Sequence, residues 1–296
     1  MSSRGSPALQ KRELGATGAL ISAVGLGGML LSIQGRPPHA AAIELIRHAV
    51  SEGITLVDTA DAYCLDDSEQ GHNLRLLREA LRGSDQVWVI TKVGCTRPGG
   101  AWRVDARPER LIQAAEQSLT ALGREPIDLL QLHAPDSRVP FAESVGALAE
   151  LVRAGKVRHV GLSNVSANQI AEARAITPIV SVQNRFNLHD RSVETNGVLD
   201  YCTKHRITLF AHSPFGGAQN APELGLSRLS QEAKRRKVSA YRLVLAWLLA
   251  KSPAVVPLFG ARRLDSVSDS ARATRLGLSP EDVQAIDQLL APRASG

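Results

Sequence analysis

Four residues in the first half of the chain have the types needed for acid–base chemistry: Asp58, Tyr63, Lys92 and His133. A free phenol, with a pKa of about 10, is a poor proton donor at neutral pH. A nearby lysine ammonium favours the phenolate and lowers that value. A carboxylate beside the lysine holds it charged and in place. A histidine opposite can orient a carbonyl oxygen or share the proton. Such a tyrosine could protonate a carbonyl oxygen while hydride arrives from elsewhere. No protein side chain supplies hydride, so this device requires a nicotinamide or flavin. Each residue alone has a plainer reading. Asp58 and Lys92 would form a structural ion pair, His133 a hydrogen-bonded core histidine, and Tyr63 a rim residue. Their arrival from three consecutive strand–helix units is what points to chemistry.

Those units recur along the chain. A hairpin is expected first, from Lys11–Glu13 and Ala19–Ser22 around a turn at Gly15–Gly18. Eight short apolar or β-branched runs then read as strands: Ala23–Leu26, Thr55–Asp58, Val87–Thr91, Asp128–Leu132, His159–Gly161, Val180–Gln183, Thr208–Ala211 and Val255–Leu258. Helical spacing between them covers His39–Glu52, Asn73–Arg82, Pro108–Leu122, Pro140–Ala154, Ser166–Ala175, Ser192–His205 and Ser239–Lys251. Leu264–Ala273 and Ser279–Leu290 close the chain. Ser279-Pro280-Glu281-Asp282 carries a helix-start signal, as does Asp105 ahead of Arg107-Pro108-Glu109. Strands alternating with helices imply parallel β–α units. The fold class is therefore α/β, a (β/α)8 TIM barrel with an N-terminal β-hairpin plug and extra C-terminal helices. A doubly wound sheet fits less well. Gly25-Leu26-Gly27-Gly28 is followed by Met29-Leu30-Leu31, without the dinucleotide fingerprint.

A barrel of this kind builds its site where the strands end. The residues expected there are Gly27 and Gly28, Asp58, Lys92, His133, Ser163 and Asn164, Gln183 and Asn184, His212 and Ser213, and finally Gly260, Ala261, Arg262 and Arg263.

Composition narrows the function further. Of the 296 residues, 44% are hydrophobic and 22% charged, ordinary values for a globular protein. No composition break divides the chain, so residues 11–296 are expected to be one domain behind a disordered tail, 1–10. The excess of 35 basic over 29 acidic residues suits nucleic acid or an anionic cofactor. The cations are scattered, and aromatics are only 4%, too few for a stacking platform, so nucleic acid is not expected. The run Lys234-Arg235-Arg236-Lys237 reads as the solvated end of a helix. Cys64, Cys95 and Cys202 lack metal spacing, so neither a disulfide framework nor a metal site is expected. With no His-x-His pair, a metal-dependent barrel hydrolase is disfavoured. No leader and no spanning segment are evident, and a cytoplasmic monomer away from membranes is the expectation.

The chain resembles the aldo-keto reductases from about Arg12 to Leu290, most closely the bacterial members with short loops. The carriers are Val24-Gly25-Leu26-Gly27-Gly28, Asp58-Thr59-Ala60-Asp61-Ala62-Tyr63, Thr91-Lys92, Asp128-Leu129-Leu130-Gln131-Leu132-His133, Gly155-Lys156-Val157-Arg158, Gly161-Leu162-Ser163-Asn164, Gln183-Asn184 and Val256-Pro257-Leu258-Phe259-Gly260-Ala261-Arg262-Arg263. Each is weak alone; all of them in family order are specific. The resemblance implies reversible NAD(P)H-dependent reduction of aldehydes or ketones. Tyr63 would be the general acid, tuned by Lys92 and Asp58, with His133 orienting the carbonyl of a small-molecule substrate.

The resemblance also implies the cofactor contacts. Ser163, Asn164 and Gln183 would bond the nicotinamide carboxamide. Gly27, Gly28 and Met29 would line the cleft, with Ser213 and Pro214 passing beneath the cofactor. Arg262 or Arg263, with backbone near Gly260 and Ala261, would hold an adenosine 2′-phosphate, and Ser266 and Asp269 would meet the adenosine. The expected cofactor is thus NADPH (NADP+) rather than NADH. A cofactor-binding sensor or accessory subunit with little turnover is the competing function, disfavoured by the intact catalytic four.

The sequence also departs from the family pattern. His212 replaces the usual nicotinamide-stacking aromatic. With an ordinary pKa of about 6.5 it would couple cofactor affinity to pH. Leu74 replaces a common glutamate, and Phe259 a common proline. The loop Phe215–Leu226 is short, so the pyrophosphate is expected to be loosely covered. The substrate would lie under the loops Gly94–Arg107, which carries Arg97, Trp102 and Arg103, and Cys64–Gly71.

Overall fold

The apolar runs pair in parallel and close on themselves, so every barrel edge finds a partner. The computed structural model describes residues 8–217 and 228–290. Strands β1 (Lys11–Glu13) and β2 (Leu20–Ser22) form an antiparallel hairpin. The barrel starts with β3 (Gly25–Gly27), β4 (Leu56–Asp58) and β5 (Trp88–Val93). A small antiparallel pair, β6 (Cys95–Thr96) and β7 (Arg103–Val104), interrupts it. The barrel continues through β8 (Ile127–Leu132), β9 (Val157–Ser163), β10 (Ile179–Arg185), β11 (Thr208–His212) and β12 (Val255–Phe259). Strand β12 pairs with β3 and closes the ring.

The helices are α1 (His39–Ser51), α2 (His72–Ala80), α3 (Pro108–Leu122), α4 (Phe141–Arg153), α5 (Ala167–Arg174), α6 (Ser192–Thr195) and α7 (Val198–Lys204). After them come α8 (Arg228–Arg235), α9 (Ala240–Lys251), α10 (Leu264–Ala271) and α11 (Pro280–Leu290). None of them is long and apolar enough to cross a membrane, among the described residues.

Several expectations need correction. The helix expected over Ser192–His205 is broken by Gly197, whose φ of 82° lies outside helical space. Asp105 does not cap α3; it accepts both side-chain bonds of Arg107 at 2.8 Å instead. The basic run after Lys234 is not simply solvated. Arg236 pairs with Glu232 and reaches Asp282 at 2.6 Å, tying α8 to α11. A single turn of 3-10 helix, Met29–Leu31, follows β3 where no helix was expected. Ser279 does cap α11, exchanging bonds with Asp282.

Two apolar clusters lie between the strands and the helix ring. A third fills the lower barrel, where Leu14 and Ile21 of the hairpin pack on Leu56, Ile90, Leu129, Phe210, Val256 and Leu258. This is the expected plug. Hydrogen bonds hold it in place. Gly15 N–H donates to Thr208 Oγ1 at 2.7 Å, and the half-buried Arg12 guanidinium donates to the carbonyls of Leu249, Ser252 and Val255. Burial brings the Arg12 guanidinium down to about 10. Leu9 is buried against the second cluster, whereas residues 1–7 of the expected tail lie outside the described residues.

Higher in the barrel, Gln131 Nε2 donates to Ser181 Oγ across the interior at 3.0 Å. Gly161 makes room for that bond, since a Cβ there would stand 2.2 Å from Ser181 Oγ. Leu14→Ala would empty part of a closed apolar layer. It is expected to lower unfolding free energy by about 2–5 kcal/mol in urea titration, an unchanged midpoint being the contrary result.

Candidate active site

Strand β4 ends at Asp58, in register with Ile90 of β5. The chain then continues forward along β5 rather than leaving it. Thr59 N–H donates to Ile90 O at 2.7 Å, and Asp61 N–H to Lys92 O at 3.2 Å. A tight turn, with Tyr63 N–H donating to Ala60 O at 3.2 Å, brings the phenol over Lys92. Lys92 Nζ donates to Asp58 Oδ1 at 2.6 Å, Thr59 O at 2.8 Å and Tyr63 Oη at 2.9 Å. All three donor positions of the ammonium are thereby used. His133, fixed by its N–H to Val93 O at 2.9 Å, sets its ring 6.0 Å from the Tyr63 ring at 77°.

Lys92 is 1% exposed, and Asp58 and Tyr63 are buried beside it. Burial drives Asp58 upward and Lys92 downward, and their mutual attraction opposes both shifts. Tyr63 was expected to be more acidic than a free phenol, but the structure reverses this. Burial, then the Asp58 charge, hold its pKa well above the usual value. Asp58 takes up the Lys92 charge, so little of it remains to stabilise a phenolate at rest. Tyr63 therefore keeps its proton, the state a proton donor needs. Burial and the Lys92 charge keep His133 neutral, well below the usual imidazole range.

The opposite wall comes from β9 to β11. Ser163 Oγ donates to Gln183 O at 2.9 Å, and Asn164 Nδ2 donates to His133 O at 3.0 Å. Asn164 and Ser213 hold positive φ angles of 58° and 53°, a region that side-chain-bearing residues enter at a cost, smallest for asparagine. His212 sits between them, its ring nitrogens 3.3 Å from Asn164 Oδ1 and 3.1 Å from Ser213 Oγ. Pro214 follows, buried. Gln183 Oε1 and His133 Nδ1 are buried without a hydrogen-bond partner. Buried polar atoms left unpaired at the strand ends suit a planar amide ligand such as a nicotinamide carboxamide.

Gly27 and Gly28 end β3 next to Asp58, and Gly28 N–H donates to Asp58 O at 2.8 Å. Met29 opens the short turn that follows. Sequence reasoning missed Asn73, which fastens this segment. Its Nδ2 reaches Gly28 O at 3.0 Å and Ser32 Oγ at 2.7 Å, while its Oδ1 accepts from Thr59 Oγ1 at 2.6 Å. The only signal was a polar residue on the apolar face of α2.

After β12, Gly260 and Ala261 lead to Arg262 and Arg263. Arg263 is paired with Asp265, to which Ser266 Oγ also donates at 3.4 Å. Asp269 accepts from Ser239, which caps α9, and from Arg242 within it. Among the described residues Arg262 has no acidic partner.

Trp102 stands at the mouth, 45% exposed, edge-on to Tyr63 and His133, with the Arg97 guanidinium 4.4 Å from its ring centre. Cys64 is a buried thiol pushed up to about 11. The part of the loop Phe215–Leu226 from residue 218 onward lies outside the described residues.

The model of the Aldo/keto reductase family matches residues 23–291. The chain is 33% identical over 275 residues to an uncharacterized oxidoreductase of Schizosaccharomyces pombe, covering 91% of this chain and 87% of that one. It is 30% identical over 310 residues to a probable aldo-keto reductase 1 of Glycine max, covering 94% and 88%. Among solved structures, a thermostable aldo-keto reductase in complex with the inhibitor epalrestat superposes with a TM-score of 0.83 at 31% identity, over 95% of this chain and all of that one.

His212 does not titrate as an ordinary imidazole. Burial, Arg185 and Lys92 bring it down to about 4. The expected pH coupling near 6.5 is thereby corrected. The His212 ring resonances should hold still from pH 8 to 5.5 in NMR titration and move only toward pH 4. A midpoint near 6.5 would contradict this.

Proposed function

The chain belongs to the aldo/keto reductase family of NAD(P)H-dependent oxidoreductases, and from that premise we propose that it reduces small aldehydes and ketones, reversibly, with NADPH, Tyr63 delivering the proton. One observation carries this reading. Lys92 Nζ bridges Asp58 and the Tyr63 hydroxyl inside a buried pocket at the ends of the barrel strands.

In reduction, Tyr63 Oη hands its proton to the carbonyl oxygen as negative charge gathers there. Lys92, 2.9 Å away, then stabilises the phenolate left behind. At rest Lys92 is matched by Asp58; in the transition state it gains a second negative neighbour. The interaction is thus stronger where the barrier lies. His133, neutral, orients the carbonyl from the other side. When bound, the nicotinamide supplies hydride. Gln183, Ser163 and Asn164 would hold its carboxamide, and His212, neutral, would lie against the ring. Gly27, Gly28 and Met29 would line the cleft. Trp102 favours substrates with an apolar or aromatic substituent.

NADPH is preferred because Arg262 stands unpaired beside the start of α10, free to meet a 2′-phosphate. Arg263 is engaged by Asp265. Between the two arginines left open by the sequence, Arg262 is the stronger candidate.

Two outcomes test this. Tyr63→Phe should lower kcat for carbonyl reduction by about 10²–10⁴, with NADPH affinity retained; a near-normal rate would overturn the proton assignment. Arg262→Ala should weaken NADPH binding roughly tenfold and leave NADH binding unchanged, as read by fluorescence titration. Equal loss for both cofactors would reject the phosphate role.

A further inference from the structure

The mechanism uses one buried carboxyl group, Asp58, and leaves a second unexplained. Asp61 lies in the turn between Asp58 and Tyr63 and is 2% exposed. Its backbone is anchored on both sides, donating to Lys92 O at 3.2 Å and accepting from Gly71 N–H at 2.8 Å. Its side chain accepts from Gln70 Nε2 at 3.1 Å through Oδ2. Oδ1 is buried with no hydrogen-bond partner. Among the described residues no lysine or arginine forms an ion pair with it. The pocket thus sets two buried carboxyls against one fully buried cation, already bonded to Asp58 and Tyr63; Arg110 of α3, only half-buried, attracts Asp61 without forming an ion pair. Ionising both carboxyls would leave a net negative charge out of water beside the phenol. An unmatched buried carboxylate is costly, and the group avoids that cost by keeping its proton.

We propose that Asp61 is a positioning residue for proton transfer, acting through Lys92. With Asp61 neutral, the whole Lys92 charge serves Asp58 and Tyr63. With Asp61 ionised, its charge competes for Lys92 and opposes the negative charge that must develop on Tyr63. The neutral form is the faster one. This rests on Tyr63 being the proton donor. No bond to substrate is involved, and the Asp61 proton exchanges with water.

The groups facing Asp61 from each packed element are Cys64 in its own loop, Lys92 of β5, Cys95 of β6 and Arg110 of α3. Burial outweighs the help of Gln70, Arg110, the Ala62 N–H and Lys92 and lifts Asp61 from the usual range to about 7. The neighbouring thiols are pushed up, Cys64 to about 11 and Cys95 to about 12, and His133 and His212 are pushed down. In this pocket Asp61 therefore changes its charge near neutral pH.

The test compares the wild type with Asp61→Asn between pH 5.5 and 8.5, at saturating NADPH and carbonyl substrate. Wild-type kcat should fall several-fold, toward tenfold for a shift of about one pKa unit on Tyr63, as pH rises through about 7. Asp61→Asn should keep the low-pH rate without that step. A variant profile with the same step would overturn the inference.

A second readout needs neither cofactor nor turnover. The folded Asp61 pKa lies above the unfolded one, so its contribution to stability is full below pH 4 and is lost as pH rises through about 7. The Tm of Asp61→Asn relative to wild type should climb across that window; a constant difference would overturn the proposal. A third readout uses the wild type alone. A carboxyl 13C resonance should titrate near pH 7, and finding every aspartate below pH 5 would refute the assignment. If Tyr63→Phe turns over normally, the proton-donor reading itself fails. If Tyr63→Phe is inactive and the Asp61→Asn profile is unchanged, only the Asp61 inference fails.

Discussion

A lysine ammonium held out of water governs this molecule. Lys92 can be buried only because each of its three donor positions finds an oxygen: Asp58, Thr59 O and Tyr63. That demand fixes the local backbone. Strand β4 must end where its aspartate meets β5. The chain must then stay against β5 long enough for Thr59 O to reach the ammonium, and turn sharply enough to return the phenol. Asn73 holds the neighbouring glycine segment to the same turn, so the cleft floor and the Tyr63 phenol share one hydrogen-bonded frame. The rim loops are laced in turn. Arg36 grips Glu69 with two bonds, Asp67 accepts from Arg97 N–H, and Arg138 reaches Val104 O. A site tied on so many sides reorganises little as charge moves through it.

The barrel and the central four residues were legible for a physical reason. Parallel strands buried on both faces leave uninterrupted apolar runs, and the polar residue that ends each run stands out against them. What escaped reading depends on distance through space. The acidity of Tyr63 looked raised because Lys92 is near, but burial and Asp58 outweigh that effect. His212 looked like a pH-sensitive imidazole because its type alone says so, yet its surroundings keep it neutral. Asp61 drew no reading of its own from the sequence, and only its burial and unpaired oxygen set it apart. Asp105 carried a capping residue's identity and pairs with a side chain instead. Residue type predicts which groups can titrate or cap; only packing decides which of them do.

The hairpin illustrates how one end of the barrel frees the other for function. Leu14 and Ile21 close the lower interior with apolar contacts, so the barrel does not need its upper layers to be apolar. Polar groups can then occupy the mouth. Stability is concentrated where the strands begin and chemistry where they end, a separation that lets the upper loops differ without dissolving the core.

Gly161 carries a lesson for how such a chain can diverge. A side chain there would collide with Ser181 Oγ and stand 3.0 Å from Gln131 Cγ. The glycine, the serine and the glutamine therefore form a single unit of substitution. Replacing the glycine alone is barred, and trimming both partners would relieve the side-chain clashes but leave a Cβ 3.0 Å from the Ser181 carbonyl oxygen. Mutational tolerance at position 161 is thus set by residues on two other strands, a three-way epistasis written into the width of the barrel.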